Sequence, residues 1–172
     1  MRGKWIADLI YKKVFGLEKY LRRKGAVIGD RCKIYSDIST TESYLITIGS
    51  DTTISNDVSF ITHDNSVCKV CDDWTDVFGS IAVGDRCFIG SRSTILYGVS
   101  LANNTIVAAG SVVTKSVGQE GMIIAGNPAR IIGKVDDFRD KMESYAVNLE
   151  GLSGDEKRTT ISNSRKITKG YM

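Results

Sequence analysis

Val83 to Val117 reads VGDRCF, IGSRST, ILYGVS, LANNTI, VAAGSV, VTKSV, one six-residue unit after another. A branched aliphatic opens every unit: Val83, Ile89, Ile95, Leu101, Val107 and Val113. A small or β-branched residue takes the fifth place: Cys87, Ser93, Val99, Thr105, Ser111 and Val117. Gly or Ala often follows the aliphatic, as at Gly84, Gly90, Ala102 and Ala108. A helix repeats every ~3.6 residues and a strand every ~2, so neither gives a strict six. A solenoid does, each unit being one short strand plus one corner. The pattern predicts that the opening aliphatic points into a narrow core. It predicts that only a small side chain fits at the fifth place, and that the residue after the aliphatic turns a tight corner, which favours Gly. An ordinary sandwich needs no equal spacing.

Working outward, the same units begin at Ile28 (IGDRCK) and Ile34 (IYSDIS). The register slips across residues 40–47, TTESYLIT. It resumes at Ile48 (IGSDTT) and Ile54 (ISNDVS), and runs into Phe60-Ile61-Thr62-His63-Asp64. Insertions in a solenoid leave the core and become loops on one face, often the binding face. Residues 64–80, DNSVCKVCDDWTDVFGS, break the period and predict a protruding loop. It carries four aspartates and Trp74, a surface suited to stacking on a sugar and hydrogen-bonding it, with Asp64 and Trp74 as candidate contacts. The same residues also suit a solvated loop with its Trp tucked beneath.

Residues 1–24 read as one amphipathic helix, with Trp5, Ile6, Leu9, Ile10, Val14, Leu17 and Leu21 at three- and four-residue steps. The rest is basic, with only Asp8 and Glu18 against it. The favoured expectation is a helix packing its apolar stripe on the solenoid or on a neighbouring subunit. The basic face also allows peripheral contact with an anionic membrane. After the repeats, Ile123, Ile124, Ile131 and Ile132 predict one or two strands capping the core, with a turn at Gly126-Asn127-Pro128. A helix is expected from Asp136 to about Asn148, with Phe138, Met142 and Tyr145 on its apolar face. A second is expected to start around Leu152–Glu156, followed by a mobile tail. The domain reading is therefore 1–24, 25–135 with its loop 64–80, and 136–172.

The 172 residues suffice for one domain with appendages, and 42% hydrophobic with 25% charged residues fits a soluble globular protein. A net charge of +3 is too small to argue for nucleic acid. No apolar run approaches ~18–20 residues, and no cleavage site follows the basic N-terminus, so a cytoplasmic enzyme is expected. Cys32 and Cys87 fall at fifth places and read as small core residues. Cys68 and Cys71 form a lone C-x-x-C with one His nearby, too little for zinc, so no metal is expected.

His63 is the chain's single histidine. It falls at a solenoid edge between polar Thr62 and Asp64. The repeats, the stretch ITIGSDTTISNDVSFITHD, and the motifs AAGSVVTK (108–115) and AGNPARIIGK (125–134) together resemble the hexapeptide-repeat acyltransferases. The similarity is greatest to the sugar and xenobiotic O-acetyltransferases and covers roughly residues 25–135. The resemblance implies a mainly β fold, a left-handed parallel β-helix, here with an N-terminal helix and a short helical C-terminal extension. It implies acetyl-CoA as donor and a carbohydrate hydroxyl as acceptor, in surface-polysaccharide biosynthesis. It implies a homotrimer with active sites between subunits, and His63 as general base. Imidazole suits that task because its unperturbed pKa of about 6.5 lies near working pH. A carboxylate should orient the ring, and Glu42 and Asp37 are the candidates. By resemblance Ser91 and Ala109 line the pantetheine arm of the donor, and Thr114, Lys115 and Arg130 sit nearer its nucleotide. The chain departs from the family at Ser116-Val117-Gly118, where Asp-Ile-Pro is frequent. An N-acyltransferase acting on an amino-sugar would present the same base and donor site. A non-catalytic assembly module would need neither.

Overall fold

The computed structural model describes residues 2–38 and 40–167; the side chains of residues 2–5 (Trp5 of the predicted stripe among them) and the end of the predicted tail lie outside it. The chain divides into two units, meeting between Val135 and Asp136.

In the first unit short strands stack in parallel on three ladders. One holds Val27–Ile28, Ile46–Ile48, Ile81–Val83 and Ser100–Leu101. A second holds Lys33–Ile34, Thr53–Ile54, Phe88–Ile89, Ile106–Val107 and Met122–Gly126. The third holds Ser59–Ile61, Thr94–Leu96 and Val112–Val113. Val83 pairs with Leu101, Ile89 with Val107 and Ile95 with Val113, each three units further along the chain. Three sixes therefore close one coil, and the coils climb as a parallel β-helix.

The opening aliphatics, from Ile28 and Ile48 through Ile54 to Val113, are buried, except Ile34, which is partly buried. So are the fifth-place residues Thr52, Val58, Cys87, Ser93, Val99, Thr105 and Ser111, while Cys32 and Val117 are partly buried. A buried hydroxyl left unpaired costs about 1–3 kcal/mol. Here each finds a corner carbonyl: Thr52 donates to Gly84 at 2.9 Å, Thr105 to Ala102 at 2.7 Å and Ser111 to Ala108 at 2.7 Å. Burial raises the pKa of the Cys32 and Cys87 thiols, in keeping with inert core packing.

The predicted corner is displaced. The left-handed backbone falls at the fourth place of the unit: Arg31, Asp51, Asp57, Arg86, Arg92 and Asn104, and glycine at Gly98 and Gly110. The second-place glycines answer a different need. A Cβ on Gly49 would lie 2.6 Å from the Asp85 backbone nitrogen, and one on Gly90 would lie 2.5 Å from that of Ala109. Close approach of successive coils, and not backbone angle, excludes a side chain there. Third-place residues exploit the approach: Ser50 N–H donates to Asp85 Oδ1 at 2.7 Å, and Asp85 N–H to Asn103 Oδ1 at 2.8 Å.

Two excursions leave the coils. The slipped stretch forms a 3₁₀ turn, Ser43–Leu45, before the ladder resumes at Ile46. The second lies between Ile54 and Ile89, which pair directly, so residues 64–80 are excluded from the ladder. The loop holds a 3₁₀ turn at Ser66–Lys69 and is zipped at its root, where His63–Asp64 pairs antiparallel with Val77–Phe78.

The predicted N-terminal helix is two helices, α1 (Arg2–Phe15) and α2 (Leu17–Arg23), broken at Gly16 with φ +85°. Leu21 of α2 is buried in the core beside Ala26 and Ile28. The apolar stripe of α1 does not pack on the solenoid; Ile6, Leu9, Ile10 and Val14 are exposed.

At the other end Met122–Gly126 and Ala129–Lys134 form an antiparallel hairpin around Asn127–Pro128. Ile124 enters the core, but Ile131 and Ile132 are exposed, so the second strand does not cap it. Helix α3 (Val135–Met142), which starts at the last residue of the first unit, ends earlier than expected and passes into a 3₁₀ turn, Glu143–Tyr145. The last helix, α4 (Gly154–Asn163), starts where predicted. A capping box between Ser153 and Glu156 fixes its start.

Candidate active site

His63 closes one coil and opens the loop, so its position is set by the ladder on one side and by the Phe78 pairing on the other. The Phe78 ring lies 5.7 Å from the imidazole, tilted 41°. Glu42, from the slipped stretch, also meets the ring. Glu42 Oε2 lies 2.9 Å from His63 Nδ1. The Glu42 side chain is only 12% exposed, whereas that of His63 is 44% exposed.

Three threonines hold the carboxylate. Thr41 donates to Oε1, and Thr62 and Thr40 donate to Oε2 at 2.9 and 3.1 Å. The Thr41 bond lowers the Glu42 pKa most and partial burial opposes it. Bonds from Thr62, His63 and Thr40 add to the lowering, and the carboxyl falls to about 2. Glu42 is thus an anion at any ordinary pH. A carboxylate has no proton to give, so His63 Nδ1 carries the hydrogen, and in the neutral ring Nε2 keeps its lone pair. His63 lines a cleft of about 290 Å³ with Thr40, Thr41, Phe60, Ile61 and Thr62.

Asp37, the other candidate carboxylate, is committed elsewhere: Lys12 Nζ reaches its two oxygens at 2.6 and 2.7 Å. Asp64 accepts the Ser66 N–H at 2.7 Å, which lowers its pKa, and the Tyr97 hydroxyl at 3.4 Å. Trp74 is 68% exposed on the loop and does not tuck beneath it.

The predicted donor residues fall in two further places. Ser91 and Ala109 share a cleft of about 530 Å³ with Asn56, Asp57, Arg92 and Gly110. Ser91 Oγ is 2.7 Å from Ser55 Oγ on the preceding coil. Lys115 and Arg130 line another cleft, of about 520 Å³, together with Val117, Ile124 and Ala129. Thr114 is exposed beside it. The structure therefore joins His63 to Glu42, Ser91 to Ala109, and Lys115 to Arg130, as three clefts. Among the described residues no group of three or more His, Cys, Asp or Glu is placed to hold a metal. Sequence reasoning missed the threonine cradle and the Phe78 contact. The run Thr40-Thr41-Glu42 was the available signal, since threonines beside a carboxylate are ready donors.

Residues 80–115 match the family model described as the hexapeptide repeat of succinyl-transferase. Protein CapG of Staphylococcus aureus is 38% identical over 154 residues, covering 87% of this chain and 89% of that protein. The galactoside O-acetyltransferase of Escherichia coli is 29% identical over 106 residues, covering 61% of this chain and 51% of its own. Among solved structures, a hexapeptide-repeat-containing acetyltransferase of Vibrio cholerae, complexed with acetyl coenzyme A, aligns with a TM-score of 0.56 at 27% identity. That alignment covers 65% of this chain and 61% of that one. The three-unit coils, a family match inside them and a relative alike over nearly its whole length agree: the chain belongs to the hexapeptide-repeat family of acetyltransferases.

Proposed function

We propose that the protein transfers an acetyl group from acetyl-CoA directly to a hydroxyl of a carbohydrate acceptor, in surface-polysaccharide biosynthesis in the cytoplasm. The observation that carries this reading is the 2.9 Å contact between His63 Nδ1 and an ionised Glu42. It fixes the tautomer and turns a lone histidine into an oriented base. His63 Nε2 takes the hydroxyl proton as the acceptor oxygen attacks the thioester carbonyl. A backbone N–H of the coil near Ser91 stabilises the tetrahedral oxyanion. As the intermediate collapses the C–S bond breaks, and the thiolate recovers the proton from His63. Positioning supplies the larger share of the acceleration, because the thioester is already activated.

Small residues at Ala109 and Gly110 leave room for an extended donor arm beside Ser91, with Thr114 near its nucleotide end. Lys115 and Arg130, paired in one cleft, suit its phosphates. Asp64 and Trp74 face the acceptor. The three clefts remain separate within one chain. The proposal joins them in a homotrimer of left-handed coils, each site completed by a neighbouring subunit.

The test is thiol release from acetyl-CoA by the full chain, with a panel of sugars, sugar polymers and matched amino-sugars. Release that saturates with hydroxyl acceptors is expected. Release with amino-sugars alone would replace O- by N-acetylation, and release with none would remove the reading.

A further inference from the structure

Helix α1 is mounted the opposite way from a usual surface helix. Asp8 and Lys12, one turn apart, share a face. That face is fastened down: Asp8 takes Lys24 Nζ at 2.9 Å and the Tyr20 hydroxyl at 3.3 Å, while Lys12 pairs with Asp37 and lies 4.5 Å from the Tyr20 ring centre. The opposite face carries Ile6, Leu9, Ile10, Lys13 and Val14, at the three- and four-residue steps of one stripe. Its apolar members are 51%, 55%, 57% and 64% exposed. The helix spends its polar contacts on its own protein and turns its apolar stripe away.

From these contacts we infer that α1 is a docking surface for an anionic lipid bilayer, lying in the interface with Ile6, Leu9, Ile10 and Val14 among the acyl chains. Charge chooses this occupant. The only acids before residue 25 are Asp8 and Glu18, and both are neutralised within the protein, by Lys24 and Arg22. Lys13, Lys19 and Arg23 have no carboxylate partner among the described residues. Lys13 sits inside the stripe. A second copy of the same helix would bring its own lysine against it and bury both without a counter-charge. A lipid surface meets the same lysine with phosphate, and its long stem lets the ammonium reach the headgroups while the neighbouring side chains go deeper. The inference rests on these contacts and not on the proposed reaction.

The test is co-sedimentation of the full chain with vesicles of phosphatidylglycerol mixed into phosphatidylcholine, against phosphatidylcholine alone. Binding to the anionic vesicles that fades with salt is expected. Leu9→Glu with Ile10→Glu should weaken it at least about tenfold, and Lys13→Gln about fivefold. Both variants should melt like the parent, since the residues replaced are exposed; if the double variant misfolds, Lys13→Gln alone decides. Absence of binding, equal binding to both vesicle types, or binding indifferent to these substitutions would overturn the inference. So would a double variant that changes the oligomer mass in light scattering but not vesicle binding, which would assign the stripe to a second copy.

Discussion

The stretch 83–117 and the stretch 36–80 belong to one coil system but are built for different ends. In the first, the units repeat one solution: an aliphatic inward, a small residue beside it and, in the units before Val113, a left-handed fourth place, with Val83, Ile89 and Ile95 each pairing three units on. The core packing there is shared evenly among the units. In the second, the register slips and then opens into a loop, and there Glu42, His63 and the three threonines meet. Regularity secures the frame, while departures from it bring a partly buried carboxylate against an exposed imidazole.

Substitutions can break this division of labour or sharpen it. The largest effect should follow His63→Ala, with turnover falling by about 10²–10⁴-fold while the melting temperature and acetyl-CoA binding hold. Unchanged turnover would return His63 to a coil-edge residue. The converse case is Ile89→Ala, which removes a fully buried first-place side chain and should cost about 2–5 kcal/mol in denaturant unfolding. A smaller loss would mean the core collapses around the gap.

Gly49→Ala should cost about 1–3 kcal/mol, because the new Cβ would meet the Asp85 backbone. Gly118→Ala, with open space around it, should be close to neutral. Equal costs would deny that coil-to-coil approach selects the second-place glycine. At the donor end, Lys115→Ala and Arg130→Ala should each weaken acetyl-CoA binding about tenfold by calorimetry and spare stability. A larger effect on the acceptor than on the donor would misplace the phosphates.

The smallest effect is acid sensitivity. The Glu42 carboxyl is lowered from 4.5 to about 2, so the folded state favours its ionised form. Its contribution to stability is complete above the unfolded value and is lost as pH falls from about 4.5 towards about 2. Glu42→Gln should flatten that part of the stability–pH curve, and an unaltered curve would deny that the threonine cradle holds an anion.

The coil was legible because a period of six constrains burial directly. Cys87, Ser93 and Thr105 could be placed in the core from spacing alone. The corner was misread because two demands share the glycine signal: spacing cannot separate a positive φ at Arg86 from a close approach at Gly84. The choice between Asp37 and Glu42 was undecidable for a related reason. Once the register slips, sequence distance no longer fixes direction, and only the fold shows Lys12 claiming Asp37. The amphipathy of α1 was readable, but not the side on which it is fastened, since that depends on Asp8, Tyr20 and Lys24 meeting in space. The early end of α3 carried no proline or glycine to announce it.

The direct pairing of Ile54 with Ile89 across the excluded loop has an evolutionary consequence. A ladder that closes beneath an excursion is indifferent to the excursion's length and composition. Lineages can lengthen, shorten or exchange residues 65–76, beyond the pairing at the loop's root, without renegotiating the core. The exposed segment can then diversify at the rate of a surface, while the scaffold beneath is inherited intact.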